Sequence, residues 1–284
     1  MKPQESGVLL NGWVKPKHDR ANNWLTATWE LIRKTIVLTE LEVRKLLHDP
    51  SDLFVRAAQP VLWLVIFGQV FARIRAIPSN GLPYLDFMAA GILAQSVLFV
   101  AIFSGGMSII WERDLGTIHK FLASPTPRAA MVLGKALSAG VRGFCQVIVI
   151  YLLSILIGVH LNLNPLAFLG VLLVVFLGAA CFCTFSLIIG CLVKSRERFT
   201  GIGQLLTMPL FFASNAIYPI ALMPLWLRSI AHLNPLTYMV DALRGTMLEN
   251  GRSIYGFGTD CLILLVVVVV LTYICGRLYP RLAT

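Results

Sequence analysis

Six long apolar runs dominate the chain, at about residues 53–72, 85–110, 129–159, 166–193, 199–218 and 261–279. Most are near or above the roughly 20 residues a helix needs to cross a bilayer. The pattern predicts an all-α integral membrane protein with six transmembrane helices. Pro60 falls inside the first run, which is tolerable where neighbouring helices satisfy the freed carbonyl.

Two stretches break this pattern. Residues 1–23 are polar and contain Pro and Gly, and form a polar N-terminal segment. Over 24–48, Leu25, Trp29, Ile32, Ile36, Val43 and Leu47 recur at helical spacing, while Glu30, Arg33, Lys34, Glu40, Arg44 and Lys45 occupy the other side. That is an amphipathic helix suited to the membrane interface, with packing on a partner protein as the alternative. His48-Asp49-Pro50 ends it. Residues 51–282 then make up the transmembrane domain.

The connection 219–260 is long and mixed. Ile220–Leu233 is apolar but too short to cross, and Pro219, Pro224 and Asn234-Pro235 bound it. It is expected to be a re-entrant or interfacial helix. Leu236–Leu248 is expected to be a second short helix, with Asp241 and Arg244 three residues apart as a local ion pair. Together they would cap the outer mouth.

Composition narrows the class. Only 13% of residues are charged and 57% are hydrophobic, where a soluble domain carries roughly 25% charged residues. The net charge of +10 would suit a nucleic-acid binder. No basic groove with interleaved aromatics appears, however, so no nucleic-acid partner is expected. Basic loops that set orientation and touch anionic lipid account for the charge. Lys and Arg crowd the N-terminal segment, the loops after the second and fourth runs and the C-terminus. This bias puts both termini and the segment Trp111–Arg128 in the cytoplasm. The six cysteines sit in or beside apolar runs and read as buried hydrophobes, with no metal-ligand spacing. The polar, basic start shows no cleavable signal peptide.

Trp111–Arg128 (WERDLGTIHKFLASPTPR) is the polar interruption most in need of a purpose. Glu112, Arg113 and Asp114 can make charge-assisted bonds to a partner, Gly116 permits a tight turn, and Pro125 and Pro127 end a short helix. The chain has no phosphate-binding loop; Gly134-Lys135 is followed by Ala136. It also has no His-Glu-x-x-His and no serine-nucleophile elbow, so no catalytic residue is assigned. Few ionisable groups lie deep in the runs, Arg142 being the main one. Ion-coupled transport, which uses midplane carboxylates, is therefore disfavoured. Energy for active transport would have to come from another subunit.

Trp111-Glu112-Arg113-Asp114-Leu115-Gly116-Thr117-Ile118, then Phe121-Leu122-Ala123-Ser124-Pro125 and Gly134-Lys135, resembles the cytoplasmic loop of type-2 ABC transporter permeases. These are the membrane subunits of drug, antibiotic and lipo-oligosaccharide exporters. Ala216-Ile217-Tyr218-Pro219, Met223-Pro224, Asn234-Pro235-Leu236-Thr237-Tyr238 and Asp241-Ala242-Leu243-Arg244-Gly245 resemble the same family's region before the last helix. The likeness covers about residues 24–282. It implies a permease in the bacterial inner membrane that works as a homo- or heterodimer with two separately encoded ATPase subunits. ATP and Mg would reside on those partners, and this chain would bind no cofactor. Trp111, Glu112, Arg113, Asp114, Gly116, His119 and Lys120 would then form the ATPase-coupling surface, on a short cytoplasmic coupling helix.

Phe99 and Phe103 in the second run, with Met208, Phe211, Phe212 and Asn215 in the fifth, offer an apolar surface with one polar group for a substrate path or gate. Ordinary helix packing or lipid contact is the plainer alternative for each. If they line the path, Phe103→Ala or Phe211→Ala should alter transport without loss of assembly. A non-transporting scaffold or sensor that recruits cytoplasmic partners through its loops is the competing function.

Overall fold

The computed structural model describes residues 23–48, 58–74, 81–117 and 128–279, and among these it is helical without strands. The helices are α1 (Asn23–His48), α2 (Ala58–Phe71, with a π-helical turn at Trp63–Gly68), α3 (Tyr84–Asp114), α4 (Arg128–Ile157) and α5 (Pro165–Leu192). They continue with α6 (Arg196–Phe212), α7 (Leu225–Leu233), α8 (Pro235–Met247) and α9 (Phe257–Leu278). Four of them, α3, α4, α5 and α9, are long and apolar enough to cross a membrane; α2 and α6 are shorter.

Local chemistry sets several of the ends. Asn164-Pro165 and Asn234-Pro235 start α5 and α8 in the same way. Each Asn side chain accepts the N–H two residues on, at 3.0 Å, and Pro fills the first helical position, where a missing N–H costs nothing. Ser195 caps α6 by accepting from Arg198 N at 3.3 Å. The expected fifth run to Tyr218 is cut short, because α6 ends at Phe212 and residues 213–217 turn inward, buried. The physical reason is a later side chain: Asn234 Nδ2 donates to the carbonyls of Leu210 (2.7 Å) and Ala213 (3.2 Å), completing the helix end.

α3 is the centre of the bundle, buried almost throughout between Tyr84 and Ile110, with α4, α5, α6 and α8 around it. Small residues bring the backbones together, as apolar association between spanning helices requires. Gly105 and Gly106 lie against Cys183 and Gly190 of α5, and Gly106 N donates to Ser186 Oγ at 2.9 Å. Gly91 sits under the turn after α6: a β-carbon there would lie 2.3 Å from Ala216 O and 2.8 Å from Ala216 Cα. That turn is pinned by Arg244, which donates to Asn215 O, and by Tyr84 Oη, which donates to Ile217 O. Gly91→Ala is therefore expected to cost about 1–3 kcal/mol, the usual range for overpacking. A thermal melt unshifted from wild type would contradict this.

Against this packed centre, α9 buries only one stripe, Leu264, Val268, Thr272 and Cys275, and exposes Val266, Val269, Val270 and Tyr273. Exposed apolar surface on that scale, on helices of spanning length, belongs to a multi-pass membrane protein. α1 likewise exposes Trp29, Ile32, Ile36 and Val37, and buries the polar Thr35 and Glu42 against α4. Gly134 of α4 allows this, since a side chain there would strike Leu38.

Candidate functional site

α3 does not stop at Ile110. It carries Trp111–Asp114 as a last helical turn, which sends successive side chains in different directions. Glu112 turns inward: it is 8% exposed, and its Oε1 lies 2.6 Å from Lys135 Nζ of α4. The same ammonium reaches Ser108 Oγ at 3.0 Å and Glu42 Oε1 of α1 at 3.3 Å. Arg142 Nη2 stands 3.6 Å from Glu42 Oε2. Two carboxylates and two cations, all buried or nearly so, thus join α1, α3 and α4. Leu38, Leu41, Met131 and Tyr279 close a cavity of about 20 Å³ over the cluster. Glu112 therefore does not face water as a docking charge, because its carboxylate is the counter-ion of a buried lysine.

The neighbouring residues face the other way. Arg113 donates to the carbonyls of Val193 (3.1 Å) and Lys194, and Asp114 Oδ2 meets Arg196 Nε at 2.9 Å. The Arg196 guanidinium lies over the half-exposed Trp111 ring, 4.4 Å from its centre. The end of α3 is thereby stitched to the short link between α5 and α6. Gly116 takes φ +68°, the left-handed conformation that glycine adopts without strain. His119, Lys120 and the expected coupling helix lie outside the described residues.

The proposed path residues separate in space. Phe99 and Phe103 of α3 lie against each other at a tilt of 42°, with centroids 4.6 Å apart, and Phe103 is buried beside Gly203 of α6. Phe211 is 1% exposed and meets the Trp63 ring of α2 edge-on at 6.2 Å. Asn215 is buried in the turn after α6, and neither polar atom of its side chain has a partner among the described residues. Only Phe212 lines the main cavity, an apolar groove of about 570 Å³ between α6 and α7 whose walls include Pro209, Tyr218, Trp226 and Ile230. Met208 is half-buried on α6, away from that lining.

Asp241 and Arg244 do not pair as the sequence spacing suggested. Asp241 Oδ2 accepts from Ser253 Oγ and from the backbone N–H of Ile254 and Tyr255. Arg244 covers the Phe87 ring at 3.6 Å and donates to Asn215 O. The requirements of the loop and the turn outcompete a pair on one helix face.

Lys135 is the residue sequence reasoning undervalued. A lysine inside an apolar run needs a buried counter-charge. Glu112 and Glu42 were visible as carboxylates at the ends of neighbouring helices, but their depth was not.

The chain matches the ABC-2 type transporter family over residues 33–248. It belongs to that family. Among its relatives, the putative transport permease ycf38 of Cyanophora paradoxa is 31% identical over 219 residues, 75% of this chain and 73% of the relative. The inner membrane transport permease YadH of Escherichia coli (strain K12) is 24% identical over 220 residues, covering 78% and 84%. Nodulation protein J of Rhizobium leguminosarum bv. viciae is 25% identical over 263 residues, 91% of this chain and 96% of the relative. The family match takes in α3, its charged end and α8, and the chain is a transmembrane transport permease of this type.

Proposed function

We propose that this permease is the six-span membrane subunit of an ATP-driven exporter, paired with a second permease chain and powered by two copies of a separate ATPase. Its cargo is an amphipathic compound (a drug, lipid or glycolipid/oligosaccharide) taken from the cytoplasm or the inner leaflet of a bacterial inner membrane. Both termini lie on the cytoplasmic side, as the loop charge bias requires. One observation carries the reading: the end of α3 is braced at once to α1 and α4 through Lys135 and to the α5–α6 link through Arg113 and Asp114. A push on the segment after α3 would reach four helices together, which is what a partner that hydrolyses ATP needs. Trp111, Arg113, Asp114 and Gly116, with His119 and Lys120 beyond them, form the docking side, and Glu112 braces it from within.

The groove between α6 and α7 supports the amphipathic cargo class, since its apolar walls open towards the surface.

The test is reconstitution with the ATPase encoded in a neighbouring reading frame. ATP-dependent movement of a labelled amphiphile that a catalytically dead ATPase abolishes is the expected result; recruitment without movement would favour a scaffold. Asp114→Lys, an exposed position, should sharply reduce co-purification of the ATPase and leave membrane insertion intact. Undiminished co-purification would remove Asp114 from the docking surface.

A further inference from the structure

At the end of the bundle away from Lys135, one hydroxyl stands between two buried acids. Ser253 Oγ, in the loop between α8 and α9, lies 2.9 Å from Asp241 Oδ2 of α8 and 2.8 Å from Asp260 Oδ2 in the first turn of α9. It also accepts the Gly256 N–H at 2.8 Å. Both acids are 0% exposed.

A serine hydroxyl has one proton to donate and two lone pairs with which to accept. Its proton can go to only one of the two carboxyl groups, so the other short oxygen–oxygen contact needs a proton of its own. Asp241 Oδ2 accepts from Ile254 N at 2.6 Å and Tyr255 N at 3.0 Å as well as from the serine, so it behaves as an ionised acceptor. Asp260 has only the serine. The second oxygen of each acid, Asp241 Oδ1 and Asp260 Oδ1, is buried without a partner among the described residues, so the three donors gathered on Asp241 Oδ2 are what set the two apart: they compensate a charge on Asp241, and a charge on Asp260 would go almost uncompensated.

We infer that Asp260 binds a proton and donates it to Ser253 Oγ, whose own O–H donates to ionised Asp241, so that a proton latches the 249–256 loop across α8 and α9. The serine is then saturated, with two bonds accepted and one donated. Loss of the proton leaves two buried carboxylates competing for one hydroxyl. The latch therefore holds at lower pH and loosens as pH rises.

The surroundings fit a site for a proton alone. Tyr238 and Arg244 of α8, Glu249, Arg252 and Tyr255 of the loop and Cys261 of α9 are the other titratable groups on these elements. α3, packed on α8, brings Asp86, whose Oδ2 lies 3.1 Å from His160 Nδ1, and His160 O accepts the Glu249 N–H at the start of the loop. Arg244 is turned to Asn215 O and makes no ion pair with either acid. Tyr255 Oη is paired with His232 Nδ1 at 3.0 Å. α5, packed on both helices, carries no acid, base or tyrosine, and α4 brings only Tyr151, set against Phe168, in this half.

The experiment uses the purified permease in lipid nanodiscs and needs neither ATPase nor cargo, so its outcome is separable from the transport reading. Infrared spectra should show a protonated-carboxyl band at about pH 6, above the range where ordinary carboxylates hold protons. The band should be lost as pH rises and be missing in Asp260→Asn, the neutral mimic. Hydrogen exchange at residues 254–256 should match between wild type and Asp260→Asn at the low-pH end, and run faster in wild type at the high end. A band unchanged in Asp260→Asn, or an exchange ratio constant with pH, overturns the site. So does a ratio set by sodium at fixed pH, which would put a cation between the acids. If Asp260→Asn does not fold, the wild-type titration decides: absence of the band at about pH 6 overturns the inference.

Discussion

Replacing Lys135 with methionine is expected to destabilise the permease by about 3–5 kcal/mol, the cost of stranding a buried partner charge. In the wild type, Glu112 and Glu42 both lean on this ammonium, and Glu42 also stands 3.6 Å from Arg142 Nη2. Lys135→Met removes the ammonium that both carboxylates share. The double variant Lys135→Met, Glu112→Gln neutralises both members of the 2.6 Å pair and keeps the Glu42–Arg142 pair. It should recover most of the loss, because a buried ion pair contributes little net stability against a matched neutral replacement. Thermal unfolding of the detergent-solubilised protein would show a large drop for the single variant and a near-wild-type transition for the double. Equal drops in both would mean that Lys135 acts through its aliphatic packing rather than its charge.

The second large effect separates two adjacent phenylalanines. Phe211→Ala removes a ring that is 1% exposed and wedged against Trp63, so a loss of about 3–5 kcal/mol is expected, with assembly impaired. Phe212→Ala removes a ring that is 39% exposed on the groove wall. It should leave folding nearly intact and change substrate-stimulated ATPase activity of the assembled complex. Measuring melting and stimulated activity for both variants checks the assignment. If Phe212→Ala melts early with unchanged stimulation, the groove is packing surface and not path. This replaces the sequence-level expectation that Phe211→Ala would disturb transport and spare assembly: Trp63 of α2 meets both rings edge-on at 6.2 Å, and burial is what separates the two positions.

The same contrast runs through the other candidates. The Trp111–Asp114 cluster was legible as a special segment, because four polar or interfacial residues after a 26-residue apolar run cannot all be lipid-facing. Which of its charges points inward depends on helix phase at the end of α3 and on what α4 offers at that depth. Asp241 and Arg244 illustrate the opposite error. Spacing places them near each other on a helix, but a loop with free N–H groups and a turn with a free carbonyl offered each a better partner.

Asn234 shows local and distant chemistry in one residue. Its role as the cap of α8 follows from Asn-Pro at a helix start, and its second role, ending α6 by holding the carbonyls of Leu210 and Ala213, could not. The sequence by itself determined that the chain is helical, spans a membrane and keeps a charged segment beside one end of its central helix. Hydrophobic run length and Asn-Pro caps are local quantities, and lipid leaves the backbone few other choices. Only the tertiary structure decided that Lys135 is the hub of that end, that Phe212 and not Phe211 meets the groove, and that Ser253 sits between two acids. Lys135 and Phe211 depend on groups far apart in the chain meeting at one depth, and Ser253 on a loop that folds back between the two helices it joins; a buried charge or hydroxyl then takes whichever partner lies within about 3 Å.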